Sequence, residues 1–332
     1  MKQRLLGHTL SVSAIGIGCM GFSHAYGAPT APSEAIGRIR RAVGMGYTFF
    51  DTAEVYGTPS DPHDNERIVG KALATCRHEV QIATKFGIVF DTSSGTTPYP
   101  LITDSRPEQI RRSVEGSLRR LQTDYIDLYF QHRVDPRIPA EDVAGVMAEL
   151  IKEGKILHWG ISEVNEAYLR RAHAVCPVAA VQNRYSMMAR HYEALFPILE
   201  ELGIGLVAFS PLANGFLTGC YGRDSSFNSK DDYRSAMPQF QPENLAVNQE
   251  LLHLLQTYAE AKGATCSQIS LAWMLCKKPW IVPIPGTRQE GRMAENAGAA
   301  DIMLTADEVS ALDQALQSVP MSAVFGGTAT KA

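Results

Sequence analysis

The chain has 332 residues, with 31 Lys and Arg against 35 Asp and Glu, for a formal net charge of −4. Hydrophobic residues make up 45% and charged residues 20%, which excludes a disordered or collagen-like chain. The slightly acidic balance argues against a protein that works on nucleic acid or an anionic membrane, and no apolar run reaches the ~18 residues of a membrane helix.

At the N-terminus, Arg4–Ser11 with Gly7-His8 at its centre reads as a small hairpin. Lys2 and Arg4 ahead of the apolar stretch Leu10 to Phe22 resemble the start of a secretory leader, but His8 and the glycines at 16, 18 and 21 make a poor apolar region for one. A strand and a cytoplasmic protein are expected instead. The cysteines at 19, 76, 176, 220, 266 and 276 contain no Cys-x-x-Cys pair and no His at metal spacing, so free thiols and no metal are expected.

Eight short apolar runs follow, at 14–18, 47–51, 80–85, 126–131, 157–161, 179–182, 206–210 and 281–285. Most are apolar at successive positions, as strands covered on both faces must be. Between them lie helical patterns. Ile110, Val114, Leu118 and Leu121 form one stripe, with Pro107 near its start. Val143, Val146, Met147, Leu150 and Ile151 form another, ending at Gly154, and the leucines at 251, 252, 254 and 255 with Tyr258 a third, ending near Gly263. Strand alternating with helix implies parallel strands, and eight such units close into a (β/α)8 barrel. One α/β barrel domain over residues 1–332 is expected, with an N-terminal hairpin. Three stretches exceed a minimal barrel, at 88–104, 213–243 and after Ser318, and are expected as long loops reaching the rim.

Barrel enzymes carry their chemistry at the C-terminal ends of strands. There the chain places Asp51, followed by Thr52-Ala53-Glu54-Val55-Tyr56-Gly57, then Lys85 and His132. Each alone reads as a cap, a solvated cation or a rim residue. Together on three successive strands they form a candidate catalytic group. Metal clusters or paired carboxylates, which a barrel hydrolase would need, are absent from the strand ends.

With Gly18-Cys19-Met20-Gly21, Gly160-Ile161-Ser162, Val181-Gln182-Asn183, Phe209-Ser210-Pro211-Leu212, Pro285-Gly286-Thr287-Arg288 and Glu295-Asn296, this set resembles the aldo-keto reductases over nearly the whole chain. The resemblance implies NADPH-dependent reduction of an aldehyde or ketone, with Asp51, Tyr56, Lys85 and His132 as the catalytic tetrad. A free phenol has a pKa near ~10, and a neighbouring ammonium stabilises the phenolate. Lys85, held by Asp51, is therefore expected to lower the pKa of Tyr56, the general acid, while His132 orients the carbonyl oxygen.

No Gly-x-Gly-x-x-Gly lies between a strand and a helix, which argues against a Rossmann domain. The resemblance implies that NADP(H) lies across the barrel mouth instead. Met20 and Gly21 belong to its first strand end. Ser162 and Gln182 match positions that bond the carboxamide, and Phe209 a ring that stacks on the nicotinamide. Ser210, Pro211, Leu212 and Asn214 match a loop along the pyrophosphate. Gly286, Thr287, Arg288 and Arg292 follow the last strand, where barrels bind phosphate, and the two arginines favour the 2′-phosphate of NADPH. Glu295 and Asn296 match an adenine-contacting pair. Many family members have Asn where this chain has Glu163, a change expected to alter the carboxamide contacts. The partner is a small carbonyl compound. Aromatic residues on the loops (Phe22, Tyr26, Phe86, Phe90, Tyr99) suggest an apolar or aromatic one. A second reading follows potassium-channel β subunits, which share this fold: a cofactor-binding redox sensor with little turnover.

Overall fold

Runs that are apolar on both faces satisfy themselves only in a sheet covered on both sides. The computed structural model, which describes residues 1–57, 61–96, 100–222, 225–228 and 230–326, places them there. The strands are β1 (Gln3–Leu6), β2 (Leu10–Ser13), β3 (Ile17–Gly18), β4 (Phe49–Asp51), β5 (Gln81–Phe86), β6 (Ile88–Phe90), β7 (Leu101–Thr103), β8 (Ile126–Gln131), β9 (Ile156–Ser162), β10 (Ala180–Arg184), β11 (Gly205–Phe209) and β12 (Ile281–Pro283). Eight of them pair in parallel in the order β12-β11-β10-β9-β8-β5-β4-β3. The last meets the first through Gly16 N–H to Pro283 O at 2.9 Å and Gly18 N–H to Pro285 O at 3.3 Å, so the sheet closes into the expected (β/α)8 barrel.

All eight predicted strands are present. The first is shorter than expected because Ala14 N–H still bonds Lys2 O, within the ladder of the hairpin β1–β2. That hairpin plugs the N-terminal end of the barrel. Its Leu6, Leu10 and Val12 join Phe49, Ala83, Leu128, Phe130, Ala180, Val207 and Val282 in one buried cluster. A Cβ at Gly205 would stand 2.5 Å from Leu6 Cδ2, so only glycine lets the plug approach this strand. The helices Pro107–Leu121, Ala140–Lys152 and Gln249–Lys262 match the three apolar stripes, and Gly263 ends the last with a positive φ of 59°.

The stretch 88–104, expected as a loop, contains the antiparallel pair β6–β7, with Ile88 packed on Ala53 and Val55. A Ser-, Gly- and Thr-rich connection hid two three-residue strands. Tyr99 lies outside the described residues. The 213–243 segment forms short 3₁₀ turns and binds the first rim loop through Tyr233 N–H to Ala25 O and Gly27 N–H to Asp231 O. The C-terminal tail also reaches the rim, where Phe325 N–H bonds Gln239 Oε1.

Beneath the rim, between β5 and the helix Pro107–Leu121, Glu54 and Glu66 are both buried. Arg120 Nε donates to Glu66 Oε2 at 2.5 Å but stands 3.9 Å from Glu54 Oε2, which leaves Glu54 with a hydrogen bond from Ser113. Burial, then repulsion by Glu66, pushes the Glu54 carboxyl up to about 8, while Arg120 opposes. Tyr129 faces the same cluster. A carboxyl raised in the folded state binds a proton there that the unfolded chain has released, so stability falls as pH rises from the ordinary 4.5 to about 8. Glu54→Gln should remove ~1–3 kcal/mol of that decline, read from urea unfolding on either side of this window; an unchanged pH slope would refute it.

Candidate active site

β4 delivers Asp51 to the rim, the next turn brings round Tyr56, β5 carries Lys85 and the end of β8 leads into His132. The barrel brings all four together. Lys85 is fully buried, and its Nζ donates to Asp51 Oδ1 at 2.6 Å and Thr52 O at 2.7 Å. The same ammonium lies 4.8 Å from the centroid of the Tyr56 ring. The Tyr56 hydroxyl is 3.5 Å from His132 Nε2, and the two rings meet edge to face. Gln182 Nε2 donates to the other oxygen of Asp51 at 2.7 Å, so this carboxylate is held from both sides.

Burial disfavours every charge here, and the pairings decide what survives. Burial alone would lower the Lys85 pKa, but Asp51 and Tyr56 more than offset it and hold the ammonium protonated. His132 is held well below its ordinary value, first by burial and then by Arg133 and Lys85, so it is a neutral imidazole at pH 7. Its buried Nδ1 has no partner among the described residues, which favours the tautomer with the proton on Nε2, since an orphaned lone pair costs less than an orphaned N–H. Tyr56 departs from the expectation. Burial pushes its phenol up from 10, Lys85 pulls it down only in part, and the net direction is upward. Removing a ring from water outweighs one ammonium beside it.

These side chains border a cavity of about 1760 Å³ that runs across the mouth of the barrel. It is lined by Asp51, Tyr56 and His132, and by Met20, Gly21, Ser162, Gln182, Phe209, Ser210, Pro211, Leu212, Asn214, Gly286, Thr287, Arg288, Arg292 and Asn296. Lys85 and Glu295 stand behind the wall. The loop after β11 is wound into left-handed backbone at Ser210 (φ 50°), Ala213 (φ 47°) and Asn214 (φ 60°), strain of the kind that gathers at binding sites. Arg288 donates to Gly21 O at 2.5 Å and Ala28 O at 2.7 Å, while its buried Nη2 has no partner among the described residues. That orphaned cationic donor beside a long groove fits a phosphorylated cofactor. Arg292 differs from it, being tied to Glu295 Oε2 and Cys220 Sγ, each at 3.0 Å. Glu295 also accepts from Thr265, and the Asn214 side chain is engaged by Tyr26 and Gln239.

Glu163, the residue expected to alter the carboxamide contacts, faces two arginines, with Oε2 at 3.3 Å from Arg133 and Oε1 at 3.7 Å from Arg184. Its backbone is left-handed (φ 50°), and its N–H donates to Asn183 Oδ1. Both arginines line the cavity, and sequence reasoning passed over them. The signal was their position: Arg133 directly follows His132, and Arg184 lies two residues after Gln182.

Residues 14–317 match the family model described as the Aldo/keto reductase family. The chain is 40% identical over 318 residues to Probable aldo-keto reductase 1 of Glycine max, covering 95% of this chain and 88% of that protein. Among solved structures it is similar to the glycerol dehydrogenase AKR11B4 of Gluconobacter oxydans, with a TM-score of 0.86 at 28% identity over 99% of this chain and 98% of that one. The holo form of the aldo-keto reductase AKR11C1 of Bacillus halodurans gives a TM-score of 0.75 at 28% identity, covering 98% of each chain. A barrel of this topology with these matches defines an oxidoreductase of the kind that uses nicotinamide cofactors. The chain belongs to the aldo/keto reductase family, whose general reaction is carbonyl reduction.

Proposed function

We propose that this chain reduces an aldehyde or ketone with NADPH, using Tyr56 as the general acid and its whole length as one barrel domain. The observation that carries the reading is the convergence of the Tyr56 hydroxyl and His132 Nε2, 3.5 Å apart, on one cavity wall, with the Lys85–Asp51 pair sealed behind the phenol. When bound, the reduced nicotinamide supplies a hydride to the carbonyl carbon. Tyr56 gives its proton to the carbonyl oxygen, and the Lys85 ammonium stabilises the phenolate left behind. Asp51 keeps Lys85 charged and in place. His132, neutral, donates from Nε2 to the same oxygen and fixes its direction. Oxidation of an alcohol runs these proton steps backwards.

On the cofactor side, Gln182 has its amide N–H₂ committed to Asp51, which leaves Oε1 to accept from the carboxamide nitrogen. Ser162 Oγ accepts from Arg133 at 3.2 Å and has its own proton to give. Phe209 offers a ring face, the left-handed turn from Ser210 to Asn214 borders the pyrophosphate, and Arg288 Nη2 serves the 2′-phosphate with Arg292 beside it. NADPH oxidation against a broad panel of aldehydes and ketones tests the activity, and binding of the cofactor without turnover of any carbonyl would overturn it. Arg288→Ala should weaken NADPH at least ~10-fold, the scale of one charge-assisted hydrogen bond, and NADH about twofold or less. Equal losses in fluorescence titrations would remove the 2′-phosphate role.

A further inference from the structure

Arg184 closes β10 with a side chain only 9% exposed, yet among the described residues it makes no hydrogen bond. Its one counter-charge is Glu163 at 3.7 Å, and its guanidinium carbon stands 5.2 Å from the centroid of the Phe209 ring. Arg133 shares the same carboxylate at 3.3 Å, and otherwise donates to His132 O at 2.6 Å and Ser162 Oγ at 3.2 Å. Two guanidinium groups against one carboxylate leave this wall of the cavity, beside Ser162 and Phe209, with an excess positive charge. No Arg184 nitrogen is a sealed, unpartnered atom, so its uncommitted N–H groups open onto the cavity, where a ligand can meet them. The nicotinamide ring brings no negative charge in either redox state, and its carboxamide oxygen beside Ser162 can accept an N–H from Arg133 but cannot balance the second guanidinium. A planar anion can, since a carboxylate accepts two parallel N–H bonds from an arginine. Arg133 directly follows His132 and bonds its carbonyl oxygen, so this charge adjoins the His132–Tyr56 pair.

We propose that Arg184, with Arg133 beside it, is an anion-binding site, and that the carbonyl compounds this chain favours carry a carboxylate. Glu163 holds the two arginines in place and competes with the substrate for them. The inference rests on the carbonyl-reductase reading above and names the substrate class of that site.

The test compares 4-carboxybenzaldehyde with its methyl ester, which differs in charge while keeping the ring and aldehyde. The acid should have a kcat/KM at least ~10-fold above the ester, mostly through KM. Arg184→Gln should cut that acid-to-ester ratio at least ~10-fold, Arg184→Lys should retain part of it, and Glu163→Gln should raise it. The opposite signs separate charge recognition from a merely structural role, and Arg184→Lys covers the case in which the glutamine variant fails to fold. A ratio near one in the parent protein, or the same ratio in every variant, would overturn the site. Benzoate binding by calorimetry is independent of turnover. It should weaken in Arg184→Gln and tighten in Glu163→Gln. If no carbonyl is reduced but benzoate follows this order, the reductase reading fails and the anion site stands; if carbonyls are reduced but benzoate binding is indifferent to both changes, the reverse holds.

Discussion

Tyr56→Phe should lower turnover at least ~100-fold, the low end of what general acid catalysis contributes, while NADPH still binds. The substitution removes one oxygen from the cavity wall and leaves the ring between Lys85 and His132, so packing and the cofactor groove stay as they are. Because burial keeps the phenol above its ordinary value and keeps His132 neutral, both groups hold one protonation state through the neutral range. The parent enzyme should therefore show a reduction rate that is level from about pH 6 to about pH 9. Steady-state kinetics with one aldehyde, and a cofactor titration on the variant, check both statements. Unaltered turnover would remove Tyr56 from the proton transfer, and a titration with a midpoint near 6.5 would mean that His132 changes charge during the reaction.

Lys85→Met should be as damaging to the fold as to the chemistry. The ammonium is fully buried and bonded to Asp51 at 2.6 Å, so its loss leaves a buried carboxylate with, among the described residues, only the Gln182 amide for a side-chain partner. Breaking one side of a buried pair typically costs about 3–5 kcal/mol. The double variant Lys85→Met with Asp51→Asn removes the stranded charge and should recover much of that stability. It should recover none of the activity, because the phenolate of Tyr56 still lacks its cation. Urea unfolding and turnover on the two singles and the double separate these roles. Parallel recovery of stability and activity would mean that the pair only holds the fold together.

Much of the barrel was legible because its signals are local. Runs such as Gly205–Phe209 are apolar at successive positions, and helix stripes such as Ile110, Val114 and Leu118 repeat at helical spacing, so each element declares its type within a few residues. The β6–β7 hairpin was not legible, since two three-residue strands across a polar connection carry too little pattern to rise above a loop.

The candidate site divides along the same line. That Asp51, Lys85 and His132 cluster at strand ends follows from the linear order of residues, because a parallel barrel gathers every strand's C-terminal end on one face. What the order of residues could not decide is which partner each charge meets once water is gone. The pKa of Tyr56 runs upward, against the reading from its neighbour Lys85, because burial is a property of the whole enclosure. Glu163 meets Arg133 and Arg184 because three strand ends, far apart in the chain, converge there. Residue type and spacing thus determined the barrel and the candidate groups gathered at its mouth. Distance and desolvation, which exist only in the folded chain, decided their protonation and the excess charge beside them.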